Sequence, residues 1–386
     1  MNYPLVLEVA KNAQGKVTCI CKSTGKDYTS KVTWITKQNA IKNGTDLYKA
    51  SADSKFQQIE KTTTMSKDTN SASSKSTTKT QASIPADVMH FIHHEVVEKR
   101  PESLIINDLT WKVICRNILR GKNILLTGPS GCGKSQTAFA AAAAMDRELF
   151  YINLGATQDP RGALIGNTHF AKDSGTFFSE SAFVRAIQTP NTVILLDEVS
   201  RAHPEAWNIL MTVLDPKQRY LRLDEAVGTP TIKVADGVSF IGTANVGAEF
   251  TSTRVMDRAL MDRFQMIEVP YLSSAEEKQL IEMIYPALRG HESAHAIAEI
   301  VTATRAEMKS DAARISTPIS TRVGLEMAEL VADGFSLVES AEITIYPFYS
   351  ELGGLQSERT FVRQLVQKYV NDNTSNNLTD NGQNNG

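Results

Sequence analysis

Gly128-Pro-Ser-Gly-Cys-Gly-Lys-Ser135 is the stretch that decides the fold. It matches the pattern G-x-x-x-x-G-K-[ST]. Before it, Asn123-Ile-Leu-Leu-Thr127 reads as an apolar strand; after it, Lys134 to Met145 reads as an alanine-rich helix. A glycine-rich turn in that position lets backbone N–H groups wrap an anion at the positive end of a helix. Gly128, Pro129, Ser130, Gly131, Cys132, Gly133, Lys134 and Ser135 are therefore expected to hold the phosphates of ATP. Lys134 is expected at the β- and γ-phosphates, and the Ser135 hydroxyl is expected to ligate Mg2+. The bland alternative is a glycine-rich turn that merely opens a helix.

Downstream, Thr192-Val-Ile-Leu-Leu-Asp197 reads as a second buried strand, and it ends in an acidic pair, Asp197-Glu198. Strands often end in acidic residues, so the pair alone says little. Its place about sixty residues after the phosphate loop makes it informative. There Asp197 is expected to hold the magnesium through water. Glu198 is expected to polarise the attacking water as general base. A third strand, Val238 to Thr243, runs into Ala244-Asn245, whose amide either orients the lytic water or simply makes a turn. Then comes Arg254-Val-Met-Asp-Arg258-Ala-Leu-Met-Asp262-Arg263-Phe264, ahead of a last strand, Gln265 to Val269. Arginines here suggest a finger that neutralises transition-state charge, with a solvated helix end as the alternative.

Leu149 to Leu154 adds another strand, and Ser181 to Gln188 and Glu205 to Leu214 add helices. Continuous apolar strands alternating with helices indicate an α/β fold, a parallel sheet of P-loop NTPase type covered by helices on both faces. Residues 85–271 form this core. Residues 272–370 contain only helical patterns and are expected to form a helical lid subdomain. Residues 1–60 carry short β-branched runs, Leu5 to Val9, Val17 to Cys21 and Val32 to Ile35, and suggest a small β or α+β module. Residues 61–84 are rich in Ser, Thr and Lys and nearly free of large apolar groups, which predicts a disordered linker. The Asn-rich residues 371–386 predict a disordered tail.

Composition bounds the rest. A formal net charge of −2 gives no electrostatic footprint for nucleic acid. No apolar run approaches the roughly 20 residues a membrane span needs, and the first residues do not resemble a signal peptide. Cys19, Cys21, Cys115 and Cys132 make no pair of CxxC arms for zinc. A thiol within the phosphate loop suits a reducing compartment, so the cytoplasm is expected.

Taken together, Gly-Pro-Ser-Gly-Cys-Gly-Lys-Ser, Leu-Leu-Asp-Glu, Gly-Thr-Ala-Asn and Ala-Leu-Met-Asp-Arg-Phe resemble the motifs of AAA+ ATPases. The nearest branch is that of MoxR, CobS, CbbQ, midasin and dynein. Asn153 to Gly166 and Asp197 to Leu210 are similar to segments of that branch, and the resemblance covers about residues 85 to 345. It implies Asn245 as the sensor-one residue and Arg263 as an arginine finger acting on a neighbour's ATP, with Arg258 as the rival. It also implies Arg322, at a lid helix start, as the sensor-two arginine. Gly166 to Phe178 would be an insert in the second helix. Its Phe170, Phe177 and Phe178 either line a central pore or are buried aromatics. Tyr220 to Leu223 and Thr231 to Val234 would form a hairpin before the sensor strand. A finger supplied in trans implies a homo-oligomer, most often a hexameric ring. The resemblance further implies a protein substrate or adaptor, and in some relatives a von Willebrand A domain partner. A nucleic-acid-directed motor is the alternative. A small P-loop kinase and a Ras-like GTPase fit the arginines, the lid and the missing Asn-Lys-x-Asp motif less well.

Overall fold

The computed structural model describes residues 5–11, 16–21, 26–43, 45–49, 56–60, 86–171, 175–224, 226, 228, 230–245 and 256–380. The expected linker at 61–84, the Arg254 end of the arginine stretch and residues 381–386 lie outside them. The chain divides into two compact units, Met1–Lys99 and Arg100–Gly386.

The first unit is α+β. Its four strands form one antiparallel sheet in the order Val17–Cys21, Leu5–Lys11, Thr45–Lys49, Gln57–Glu60. Side chains alternate faces along a strand. That alternation puts Leu7, Val9, Val17, Cys19 and Cys21 into one core with Leu47. Cys19 and Cys21 are thus packing residues, and burial pushes the Cys19 thiol up to about 11. The expected strand at Val32 to Ile35 is corrected. The chain enters a helix, Trp34–Asn43, at that point. The Thr36 N–H donates to Thr33 Oγ1 at 3.3 Å, so a hydroxyl cap turns a β-branched run into a helix start.

The second unit is built on a five-stranded parallel sheet. Its strands in chain order are β1 (Ile124–Thr127), β2 (Leu149–Asn153), β3 (Val193–Asp197), β4 (Ser239–Ala244) and β5 (Gln265–Glu268). Their spatial order is β5-β1-β4-β3-β2, every pair parallel. β1 and β4 are buried along their whole length, as continuous apolar runs require. The flanking helices are α1 (Asp108–Leu119), α2 (Lys134–Ala144), α3 (Ala182–Gln188) and α4 (Pro204–Leu214). Trp207 of α4 packs into the core and donates its indole N–H to the Val199 carbonyl at 2.9 Å. Because the strands run parallel, the carboxyl ends of β1, β3 and β4 open on one edge. The phosphate loop, the acidic pair and Asn245 leave the sheet side by side there.

Two antiparallel hairpins interrupt the alternation, Gly166–Ala171 with Gly175–Glu180 and Tyr220–Arg222 with Thr231–Lys233. Phe170 and Phe177 are exposed at 76% and 46%, so neither is a core aromatic. Phe178 packs partly against the core.

Beyond the sheet the unit is helical: α5 (Ser274–Ile284), α6 (Glu292–Met308), α7 (Thr321–Ala332), α8 (Leu337–Thr344) and α9 (Glu358–Asp380). α5 begins with a capping box between Ser273 and Glu276. These helices share their own core, which includes Ile281, Ile297, Val301, Met327, Ala341 and Val362. The last helix continues to Asp380, past residue 370.

Candidate nucleotide site

The phosphate loop takes backbone shapes that side chains resist. Gly131 and Gly133 have φ of +70° and +93°, a left-handed region that costs other residues roughly 1–2 kcal/mol. Gly133 is the N-cap of α2, so the free N–H groups of that helix start face the loop. Lys134 is buried and folds back, donating from Nζ to the carbonyls of Gly128 at 3.0 Å and Pro129 at 2.6 Å. Burial pulls its ammonium below the ordinary lysine range. Cys132 donates its thiol to the Val269 carbonyl at 3.1 Å, and burial pushes that thiol up.

The acidic pair is held from two strands and a helix, by Thr243 on β4, Tyr151 on β2 and Ser135 on α2. Ser135 Oγ donates to Asp197 Oδ1 at 2.9 Å, and the Thr243 hydroxyl donates to the same oxygen. Tyr151 donates to Asp197 Oδ2 at 3.2 Å. Burial, and then the Asp197 charge, push the Tyr151 phenol up. Glu198 donates its N–H to Thr243 Oγ1 at 3.0 Å. Its φ is +55°, a left-handed shape for a residue with a side chain. The Glu198 carboxylate accepts from Arg201 Nη1 at 3.2 Å. Gly155 lies directly beneath it: a Cβ there would stand 2.9 Å from Glu198 Cβ and crowd Glu198 Oε2.

These groups line one cavity of about 640 Å³ between the sheet edge and the helical lid. Lys134, Ser135, Asp197, Glu198, Thr243 and Asn245 come from the sheet side, and Arg322 from the start of α7. The Asn245 N–H donates to Ser200 Oγ at 3.3 Å, which fixes the turn after β4. Apolar side chains also line the cavity. Leu104 and Ile105 line it before α1, Phe139 on α2, and Leu280, Ile284 and Leu325 on the lid.

Residues 123–264 match the AAA domain (dynein-related subfamily). A Thauera aromatica protein named "Putative chaperone BssE" is 34% identical over 220 residues, which span 56% of this chain and 72% of that protein. The chain belongs to the AAA family, in its dynein-related subfamily. This is the branch its motifs resemble. An uncharacterized Staphylococcus saprophyticus protein is 30% identical over 154 residues, 39% of this chain and 56% of that one. The mitochondrial Lon protease homolog 1 of Dictyostelium discoideum is 29% identical over 173 residues, 43% of this chain and 17% of its own length. The AAA domain is an ATPase domain.

The arginines fall into two places in this AAA fold. Arg322 is in the cavity. Arg263 is not: it precedes β5, at the amino ends of the strands, away from the phosphate loop. Its guanidinium donates to the Met211 carbonyl at 2.9 Å, to the Ala259 carbonyl, and to Asp215 Oδ2 at 3.3 Å. Arg258 is exposed, with no side-chain hydrogen bond or ion pair among the described residues. Sequence reasoning missed Gly155, Tyr151, Thr243 and the apolar side chains of the lining. A hydroxyl in a buried strand, or a lone glycine after a strand, carries no signal until the strand order is known.

Proposed function

We propose that this chain is a magnesium-dependent ATP-hydrolysing ring motor that remodels a protein or protein complex. The observation that carries the reading is the cavity itself: phosphate loop, acidic pair and Asn245 on one wall, Arg322 on a separately packed helical lid. The residues fit a nucleotide and its cation. Ser135 and Asp197 bring a hydroxyl and a carboxylate together at 2.9 Å, the hard oxygen donors that magnesium prefers. Bound there, magnesium would screen phosphate charge. Lys134 holds the phosphates in place of its own loop carbonyls, and Glu198 takes a proton from the attacking water. Asn245 orients that water, while Arg322 reads the phosphates from the lid. The apolar side chains in the lining suit the adenine ring.

Arg263 cannot reach the phosphates of its own chain from the far end of the sheet. As the finger it would serve a neighbour, after exchanging its Asp215 pair for phosphate. That pair is about a fifth exposed on each side, and Arg263 also donates to the carbonyls of Met211 and Ala259, so its release has to be offset by the contact with the neighbour's phosphate. This supports a ring, with the hexamer as the expected size, and the cytoplasm as the expected compartment. The relative named as a chaperone supports a protein substrate. The exposed Phe170 and Phe177 on their hairpin offer a surface for it.

The deciding experiment uses Glu198→Gln, which is expected to bind ATP without turning it over. With ATP and Mg2+ it should run near six times the 42.4 kDa chain mass in light scattering. A chain-sized mass in every nucleotide state overturns the ring. Wild-type ATPase stimulated by DNA, and by no protein captured on the Glu198→Gln ring, overturns the protein-remodelling reading.

A further inference from the structure

A buried ionic cluster inside the lid is not used by the chemistry above. Arg305 on α6 is 6% exposed and Glu277 on α5 is 1% exposed. Arg305 Nη1 lies 2.7 Å from Glu277 Oε1. Thr321, the first residue of α7, donates its hydroxyl to Glu277 Oε1 at 2.6 Å and accepts from Arg305 Nη2 at 3.1 Å. Arg305 also donates to the carbonyls of Ile319 at 3.0 Å and Leu272 at 3.1 Å. One guanidinium thus joins α5, the turn before α7 and the connector that leaves the sheet.

The same guanidinium lies 3.9 Å above the centre of the Tyr271 ring. Tyr271 in turn donates its hydroxyl to the Ser130 carbonyl of the phosphate loop at 3.0 Å. A continuous path therefore runs from Ser130 through Tyr271, Arg305 and Thr321 to Arg322, the next residue in the chain. A buried ion pair is a poor device for stability, since packed apolar residues of similar volume often do as well. It does fix geometry, because its donors and acceptors are satisfied in one arrangement only.

We propose that Arg305, acting through Tyr271 and Thr321, is a positioning residue that sets where Arg322 stands relative to the phosphate loop. The inference rests on the nucleotide-site reading. Contact with phosphate at the loop and placement of the lid arginine are then one event, not two.

Tyr271→Phe tests this with little disturbance, because the ring under Arg305 stays and the bond to Ser130 goes. Turnover is expected to fall roughly five- to tenfold, the scale of one hydrogen bond. ATP affinity should stay within about twofold and the melting temperature within about 2 °C, since no buried group is removed. Combined with Arg322→Ala, the change should have no further effect on turnover, because both act through the same group. Arg305→Lys keeps the charge but cannot serve all these acceptors, and its turnover should fall at least as far. A folded Tyr271→Phe protein with wild-type turnover overturns the proposal, as does a loss that multiplies with that of Arg322→Ala. If the wild-type protein neither binds nor hydrolyses ATP, the nucleotide reading fails, and that outcome is distinct from both.

Discussion

Gly155→Ala gives the sharpest test of how Glu198 is held. The added methyl would sit 2.9 Å from Glu198 Cβ and 3.2 Å from Arg201 Cβ. Carbon atoms are comfortable at about 3.5–4.0 Å, so the Glu198 side chain must give way by up to about 1 Å. The main chain cannot absorb the shift. β3 is buried up to Leu196, and the Glu198 N–H is fixed on Thr243. A misplacement of about 1 Å at a reacting group costs about a hundredfold in rate, or about 2.7 kcal/mol in activation free energy. Overpacking itself costs about 1–3 kcal/mol of stability. Phosphate release measures turnover, a fluorescent nucleotide measures affinity, and a thermal scan confirms folding. Turnover should fall roughly a hundredfold with affinity nearly unchanged. In a Glu198→Gln background the same change should add nothing, because it acts only through that side chain. A folded Gly155→Ala protein within twofold of wild-type turnover refutes the reasoning.

Lys134→Ala should abolish nucleotide binding in calorimetry; unchanged affinity would defeat the phosphate-loop reading. Arg263→Ala should lower turnover by about a thousandfold or more while ATP affinity holds, and mixing it with Lys134→Ala subunits should restore part of the activity. If Arg258→Ala has that effect and Arg263→Ala does not, the finger is Arg258. Among the four cysteines, Cys132 alone is partly exposed, and the other three are buried. Because its partial burial raises its pKa, alkylation should be slow at neutral pH and quicken as the pH rises toward that raised value. ATP should protect it, and rapid labelling at neutral pH, indifferent to nucleotide, would contradict its placement in the loop.

Much of this was legible in the sequence because it is local. The phosphate loop, the apolar strands and the acidic pair each declare themselves within a few residues, and their order implies a parallel sheet. Thr33 escaped notice because a hydroxyl cap and a β-branched strand look alike until the next turn is built. Gly155, Thr243 and Tyr271 escaped for another reason. Each matters through a partner 43 to 141 residues away in the chain, and no periodicity reports such a meeting. The engagement of Arg263 by Asp215 and Met211 was hidden in the same way.

Asn123 has a consequence for how such a ring would work. Its side chain donates to the carbonyls of Leu214 at 2.7 Å and Arg263 at 3.0 Å, and it accepts from Arg219 at 3.1 Å. The arginine-bearing turn is thereby pinned to the foot of β1, and the phosphate loop rises from its top. β1 is four buried residues long, about 13 Å at the rise of a strand. If Arg263 serves the neighbouring subunit, this short strand is a stiff strut with one ATP site at each end. Strain raised at one site would cross to the next along a single element, without passing through the lid.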